Sequence, residues 1–213
     1  MSHDPTVAAF RPTRPRHRRG AGMILDLIRH ASTGRDGYLD GRSDPTLEPG
    51  SSDALCARYA ALGWERVLSS PRQRAIATAD ALAAPRGVSV IADAEWEELD
   101  FGDWDGQALD TLPMQQLSAF HLDPHANPPP HGESWGHFER RIVRGLHRLL
   151  DAPEPSTLIV SHGGPLRMVL SQVCDLPMAM CWALRIDHGT RLQLRVEREE
   201  DRLWGELLEL QQP

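Results

Sequence analysis

Three short apolar runs in this sequence end on side chains able to do chemistry. Met23–Ile28 stops at Arg29-His30. Val67-Leu68 runs into Ser69-Ser70-Pro71-Arg72-Gln73-Arg74, and Leu158-Ile159-Val160 runs into Ser161-His162-Gly163-Gly164-Pro165. Arginine keeps its charge at any working pH and presents a planar fork of donors that suits phosphate. Histidine changes charge close to neutral pH. The bare backbone N–H groups around Gly163-Gly164, at the start of a helical pattern, attract anions. Arg42, in Gly41-Arg42-Ser43-Asp44, adds a further cation. Brought together, these groups form a positive pocket, and phosphate is the ligand such a pocket predicts.

For the three ends to meet, the runs must be strands of one parallel sheet, because such sheets bind ligands just beyond the strands' carboxyl ends. Met23–Ile28, Arg66–Ser69, Val88–Ile91 and Thr157–Ser161 read as short strands. Arg191–Val196 and Leu203–Leu210 read as later strands toward the sheet edge. Between them lie helical patterns over Asp53–Leu62, Pro71–Ala83, Trp135–Leu150 and Pro165–Val173. The alternation predicts an α/β chain, a three-layer α/β/α sandwich around a mainly parallel sheet. Ser69 or Ser70 is expected to cap the second helix, with Pro71 at its first position. Residues 121–134, HLDPHANPPPHGES, are kept irregular by Pro and Gly. They predict a lid-like loop crossing the sheet edge. His121, Asp123, His125 and His131 match no usual metal-ligand spacing, so no metal is expected there.

Composition narrows the functions further. With 40% hydrophobic and 25% charged residues the chain resembles an ordinary globular protein, and 213 residues suit one domain. No apolar run approaches the roughly 18 residues of a membrane span. Residues 1–22 are Arg- and Pro-rich, lack an apolar block, and are expected to form a disordered extension before a single domain over 23–213. That extension holds five Arg and one Asp, so the remainder carries 18 Arg against 29 acids, a net of −11. Without a basic stripe, a nucleic-acid ligand is not expected. Cys56, Cys174 and Cys181 are odd in number and lack CxxC spacing, which suits reduced thiols in a cytoplasmic protein. There is no lysine, which removes P-loop, Schiff-base and pyridoxal chemistry and leaves Arg to supply every fixed cation. A homodimer is compatible with these features and is left open by them.

Taken in order, the same segments resemble a known family. LIRHAST is similar to the LxRHGxT signature of the histidine phosphatase superfamily, the phosphoglycerate-mutase-like fold. SSPRQRAIATA resembles its SSPxxRAxxTA, EELDFGDWDG its ExxFGxWEG, SHGGPLR its second-histidine motif, and HGES its GES segment. The resemblance runs from residue 23 to about 194. Within the family, ELDFGDWDG and DLPMAMCWALRIDHGTRLQL look most like α-ribazole phosphatases of the cobalamin pathway.

The resemblance implies a phosphomonoester hydrolase that needs no metal or other cofactor. His30 would be the nucleophile, forming a phosphohistidine, with Arg29, Arg74 and His162 on the equatorial phosphate oxygens. Glu98 would be the general acid, with Glu97 as the alternative because a one-residue slip along an extended segment points to the opposite face. Glu95 reads as solvated surface. Ser32, Thr33, Arg42, Gly163, Glu133 and Ser134 would be further phosphate or substrate contacts. The partner implied is a small phosphorylated metabolite such as α-ribazole 5′-phosphate. Its aromatic base would need an apolar slot, for which Trp104, Trp135, Phe120 and Trp182 are available, although each also reads as core. Phosphoglycerate mutase activity and non-catalytic phosphate binding are the competing readings. One departure stands out: Ala31 occupies the position of the family's Gly, and it would be strained only if that position required φ > 0.

Overall fold

The computed structural model describes residues 22–213, so the Arg/Pro-rich extension lies almost entirely outside the described residues. Among these residues one sheet contains six strands in the order β3-β2-β4-β1-β5-β6. They are β1 (Met23–Arg29), β2 (Arg66–Ser69), β3 (Val90–Ala92), β4 (Ser156–Ser161), β5 (Arg191–Glu199) and β6 (Arg202–Gln211). The first four run parallel; β5 and β6 join antiparallel. Of the two late strands only β6 forms the edge, because β5 pairs β1 on one side and β6 on the other.

The helices are α1 (Ser51–Arg58), α2 (Gln73–Ala83), α3 (Met114–Leu122), α4 (Trp135–Asp151), α5 (Gly163–Cys174) and the short α6 (Met178–Trp182). Alternating residues of the strands feed two cores. Leu25, Leu27 and Ile159 pack with Phe138, Ile142, Leu146, Leu166 and Leu170 from α4 and α5. On the other face, Ile28, Leu158 and Val160 pack with Leu55, Ala75, Ala79 and Leu82 from α1 and α2. At about 25 cal/mol per Å² of apolar surface removed from water, these two faces hold the sheet between its helix layers.

Two expected helix details differ. Helix α2 starts at Gln73, two residues after Pro71, and its first amide donates to Asp44 Oδ2 at 2.7 Å. Capping therefore falls to a distant carboxylate, while Ser70 Oγ accepts from Arg72 N at 3.3 Å, ahead of the helix. Helices α3 and α6 have no counterpart in the expected elements. Of the loop expected over 121–134, residues 123–134 are irregular, while His121 and Leu122 form the end of α3.

Candidate active site

Parallel pairing of β4 with both β1 and β2 sets three carboxyl ends side by side. The His30 amide donates to Ser161 O at 2.9 Å, and the His30 and His162 rings meet edge to face with centroids 5.1 Å apart. Both imidazoles are buried, at 4% and 1% exposure. Burial, followed by the nearby guanidinium groups, holds both well below the ordinary histidine range. Each is therefore neutral at pH 7.

The tautomer of His30 follows from its partners. Nδ1 lies 2.8 Å from the Ala31 carbonyl, which can only accept, so Nδ1 carries the hydrogen. Nε2 is then an unprotonated lone pair, and Arg74 Nε donates toward it from 3.3 Å. Ala31 itself is buried, donates its amide to Thr78 Oγ1 at 3.0 Å, and is not among the residues with positive φ. The methyl in place of the family's glycine is therefore unstrained.

Arg29 donates Nη1 to Ile186 O at 2.8 Å and Nη2 to His188 Nε2 at 2.9 Å, leaving Nε buried with no partner. Arg74 is almost fully buried. Its Nη groups donate to Asp40 O, Ser43 O and Asp44 Oδ1 at 2.6–3.0 Å, so residues 40–44 orient its guanidinium. His162 shares its Nε2 with Ser70 Oγ at 2.8 Å, and its Nδ1 is buried without a partner. Glu98 accepts from Leu99 N at 2.9 Å and Gly164 N at 3.1 Å. The expected anion at the head of α5 is thus supplied in part by the protein's own carboxylate. A Cβ at Gly164 would collide with Glu98 Oε1, so glycine is what admits this approach.

Arg29, His30, Arg74, Glu98, Thr33 and Gly163 line one cavity of about 510 Å³. His162 lies against it through His30. The lining is also rich in apolar side chains: Phe120 and Leu117 from α3, Trp135 and Phe138 from α4, Trp182 from α6, with Leu109 and Phe101. Of the four aromatic candidates, Trp104 alone stays out of the lining, buried edge-on behind Phe120 at 5.8 Å.

Four expected contacts are not brought to this cavity. Ser32 Oγ donates to Glu48 Oε2 at 2.5 Å. Arg42 is 71% exposed and pairs with Asp100 at 2.8 Å. Glu133 is bound bidentately by Arg141 at 2.9 Å, and Ser134 accepts from His137 N as the cap of α4. Glu97 pairs with Arg72 at 3.4 Å, outside the cavity lining. The loop over residues 123–134 does not form the lid; α3 and α6 close that side. His125 pairs with Glu139 and His131 with Asp103, while His121 turns into the cavity.

A third histidine was missed by the sequence reading. His188 lines the cavity with its ring 4.9 Å from that of His30. It accepts from Arg29 at Nε2 and reaches the exposed Asp36 through Nδ1 at 3.0 Å. Burial and then Arg29 push it down to about 4, so it is neutral and able to accept. Its only sequence signal was a His in a turn before a strand, far from the other motifs. Arg167, in the same SHGGPLR segment as His162, also lines the cavity, held by the Gly163 and Leu184 carbonyls at 3.1 Å.

A family model for the histidine phosphatase superfamily (branch 1) matches residues 25–205. An adenosylcobalamin/alpha-ribazole phosphatase of Salmonella typhimurium is 31% identical over 179 residues, covering 78% of this chain and 87% of that protein. A bifunctional protein of Mycobacterium tuberculosis is 33% identical over 196 residues, 85% of this chain and 53% of that protein. The chain thus spans about half the length of the first curated relatives it matches. Among solved structures, the alpha-ribazole phosphatase of Shigella flexneri superposes with a TM-score of 0.72 at 27% identity, over 87% of this chain and 96% of that one.

Proposed function

We propose that this chain, which belongs to the histidine phosphatase superfamily, is a phosphatase that hydrolyses a small phosphomonoester through a phosphohistidine on His30. The observation that carries this reading is the tautomer of His30. With Nδ1–H held by the Ala31 carbonyl, the lone pair of Nε2 faces Arg74 at the cavity wall.

In the first half-reaction Nε2 attacks phosphorus and the bond to the ester oxygen breaks. Arg29 and His162 meet the equatorial oxygens, and Arg74, whose N–H groups already reach His30, Asp40, Gly41, Ser43 and Asp44, adds its fixed positive charge. Arg29 Nε is a buried donor with no protein partner, and His162 Nδ1 is buried without one as well, so both are free to meet a phosphoryl oxygen, His162 in the tautomer that carries its hydrogen on Nδ1. Glu98 gives its proton to the departing alkoxide. In the second half-reaction the Glu98 carboxylate takes a proton from water, the water oxygen attacks phosphorus, the P–N bond breaks and His30 is regenerated. Thr33 and Gly163, both in the lining, are further contacts to the phosphoryl group.

The finer reading is α-ribazole 5′-phosphate as substrate. Supporting it are the alpha-ribazole phosphatases among the relatives and the aromatic residues Phe120, Trp135 and Trp182 in the same cavity lining as His30 and Arg29. Flat aromatic rings pack favourably against such side chains. A phosphate-release screen over sugar phosphates, phosphoglycerates, nucleotides and α-ribazole 5′-phosphate tests the choice. α-Ribazole 5′-phosphate should give the highest kcat/KM. Preference for a charged, ring-free ester would overturn it. In the same screen, run in EDTA, His30→Ala should release no phosphate from any ester.

A further inference from the structure

Glu98 stands on a stretch that has little means of holding itself. Around it lie two single 3₁₀ turns, Ala94–Trp96 and Gly102–Trp104, and Glu97 between them is extended at φ −62°, ψ 154°. Among the described residues no strand pairs with residues 97–100, so their carbonyls need donors from elsewhere. Arg141, in the middle of α4 and 6% exposed, supplies them.

Its Nη1 donates to Glu95 O at 2.8 Å and Glu97 O at 2.7 Å. Its Nη2 donates to Glu98 O and Glu133 Oε2, both at 2.9 Å, and its Nε donates to Glu133 Oε1 at 2.9 Å. A guanidinium has five N–H donors, and all five are used, three on the chain that carries Glu98. None is left for a ligand. The Phe138 ring packs against the guanidinium with its centroid 4.7 Å away.

Glu133 completes the device. Its amide donates to Asp100 O at 2.9 Å, so it ties the far side of the same stretch, and His137 Nδ1 lies 2.6 Å from its carboxylate. Burial pushes the Glu133 carboxyl up, yet Arg141 and His137 together hold it below the usual carboxylate range. It is therefore a fixed negative charge against which Arg141 is seated.

We propose that Arg141, seated on Glu133, is the positioning residue that sets the direction of the Glu98 carboxylate toward the cavity. The proposal rests on Glu98 being the general acid. Among the described residues, the hydrogen bonds of the Glu98 side chain go to two backbone amides, one of them Leu99 N next to it, so its aim depends on the path of the main chain at residues 97–98. Three of Arg141's bonds fix that path. A shift of one residue would present Glu97, which faces Arg72 instead. Lysine cannot substitute, because a point charge with three donors does not reproduce the planar fork.

The test compares kcat/KM for 4-nitrophenyl phosphate, whose leaving group needs no proton, with benzyl phosphate, whose alkoxide does. Arg141→Lys should lose about 10²-fold on benzyl phosphate, within the range of a misplaced general acid, and no more than about threefold on the nitrophenyl ester. Orthovanadate should bind with unchanged Kd, since the phosphate clamp is untouched. Equal losses on both esters, with Glu98→Gln selective, would overturn the positioning role and leave the Glu98 assignment standing. A non-selective Glu98→Gln would overturn both. If Arg141→Lys does not fold, Glu133→Gln carries the same comparison: a selective loss on benzyl phosphate supports the device, and an unselective one refutes it.

Discussion

Strand β1 carries two buried charged regions within five residues, and they are built oppositely. At Asp26, Arg191 donates Nε at 2.9 Å and Nη2 at 2.8 Å, Trp64 Nε1 donates at 2.6 Å, and Gln193 Nε2 at 3.2 Å. Arg191 also reaches Glu209 at 2.7 Å. Every charge there has its counter-charge inside the protein. At Arg29-His30, among the described residues, no carboxylate pairs with Arg29. Its partners are a carbonyl and a neutral imidazole, and Nε is left over. Burying an unpaired cation is costly. The first region is a closed structural pair; at the second the guanidinium faces the cavity, where the proposed phosphoryl group would meet it.

That contrast can be broken from either end. Removing the clamp should have the larger effect: Arg29→Met is expected to lower kcat/KM on 4-nitrophenyl phosphate by about 10²–10³-fold, the scale of one lost transition-state donor. The variant should be no less stable than the wild type, and vanadate should no longer raise its Tm, as it should for the wild type by mass action. A destabilised variant that still binds vanadate would contradict the open-site view. Asp26→Asn should do the reverse. Breaking the buried pair should cost about 3–5 kcal/mol in urea unfolding, while kcat/KM per folded molecule stays within about twofold; a selective loss of activity would mean the two regions are coupled.

The smallest expected effect concerns His188. Its value of about 4 lies below that of an unfolded histidine, so the folded state keeps it neutral while the unfolded chain takes up a proton. Its share of stability is fully present above about pH 6.5 and is lost as pH falls from there toward 4, by up to about 1.4 kcal/mol per pH unit. His188→Asn, which can still accept from Arg29, should therefore make the fall in unfolding free energy between pH 6.5 and 4.5 shallower. An unchanged slope would show that His188 is not the neutral acceptor for Arg29.

The same contrast explains what could be read without coordinates. Arg29, His30, Arg74 and His162 follow directly from strand ends, because pairing rules carry whatever sits there to one edge of a parallel sheet. Glu98 was legible as one of two adjacent acids; the structure places it against Gly164 in the cavity lining and Glu97 against Arg72. Loop side chains were not legible in this way. Ser32 turns to Glu48, Arg42 to Asp100 and Glu133 to Arg141, each drawn by an ionic or hydrogen-bonding partner that lies far away in sequence. Asp44 is similar, capping α2 from 29 residues upstream. His188 lacked a motif because its role is to accept from one arginine, which any suitably placed acceptor could do. The aromatic lining was half legible: the residues were recognisable as apolar, but whether each faces core or cavity depends on α3 and α6, which carry weak helical patterns.

The central claim is that the lone pair of His30 receives the phosphoryl group. Rapid acid-free quenching of the enzyme with ³²P-labelled 4-nitrophenyl phosphate, followed by proteolysis and sequencing under alkaline conditions, reads this directly. A label that survives alkali, is lost in acid and maps to the peptide containing His30 is the predicted result. Label on His162 or His188, or turnover with no labelled protein at the earliest times, would contradict it.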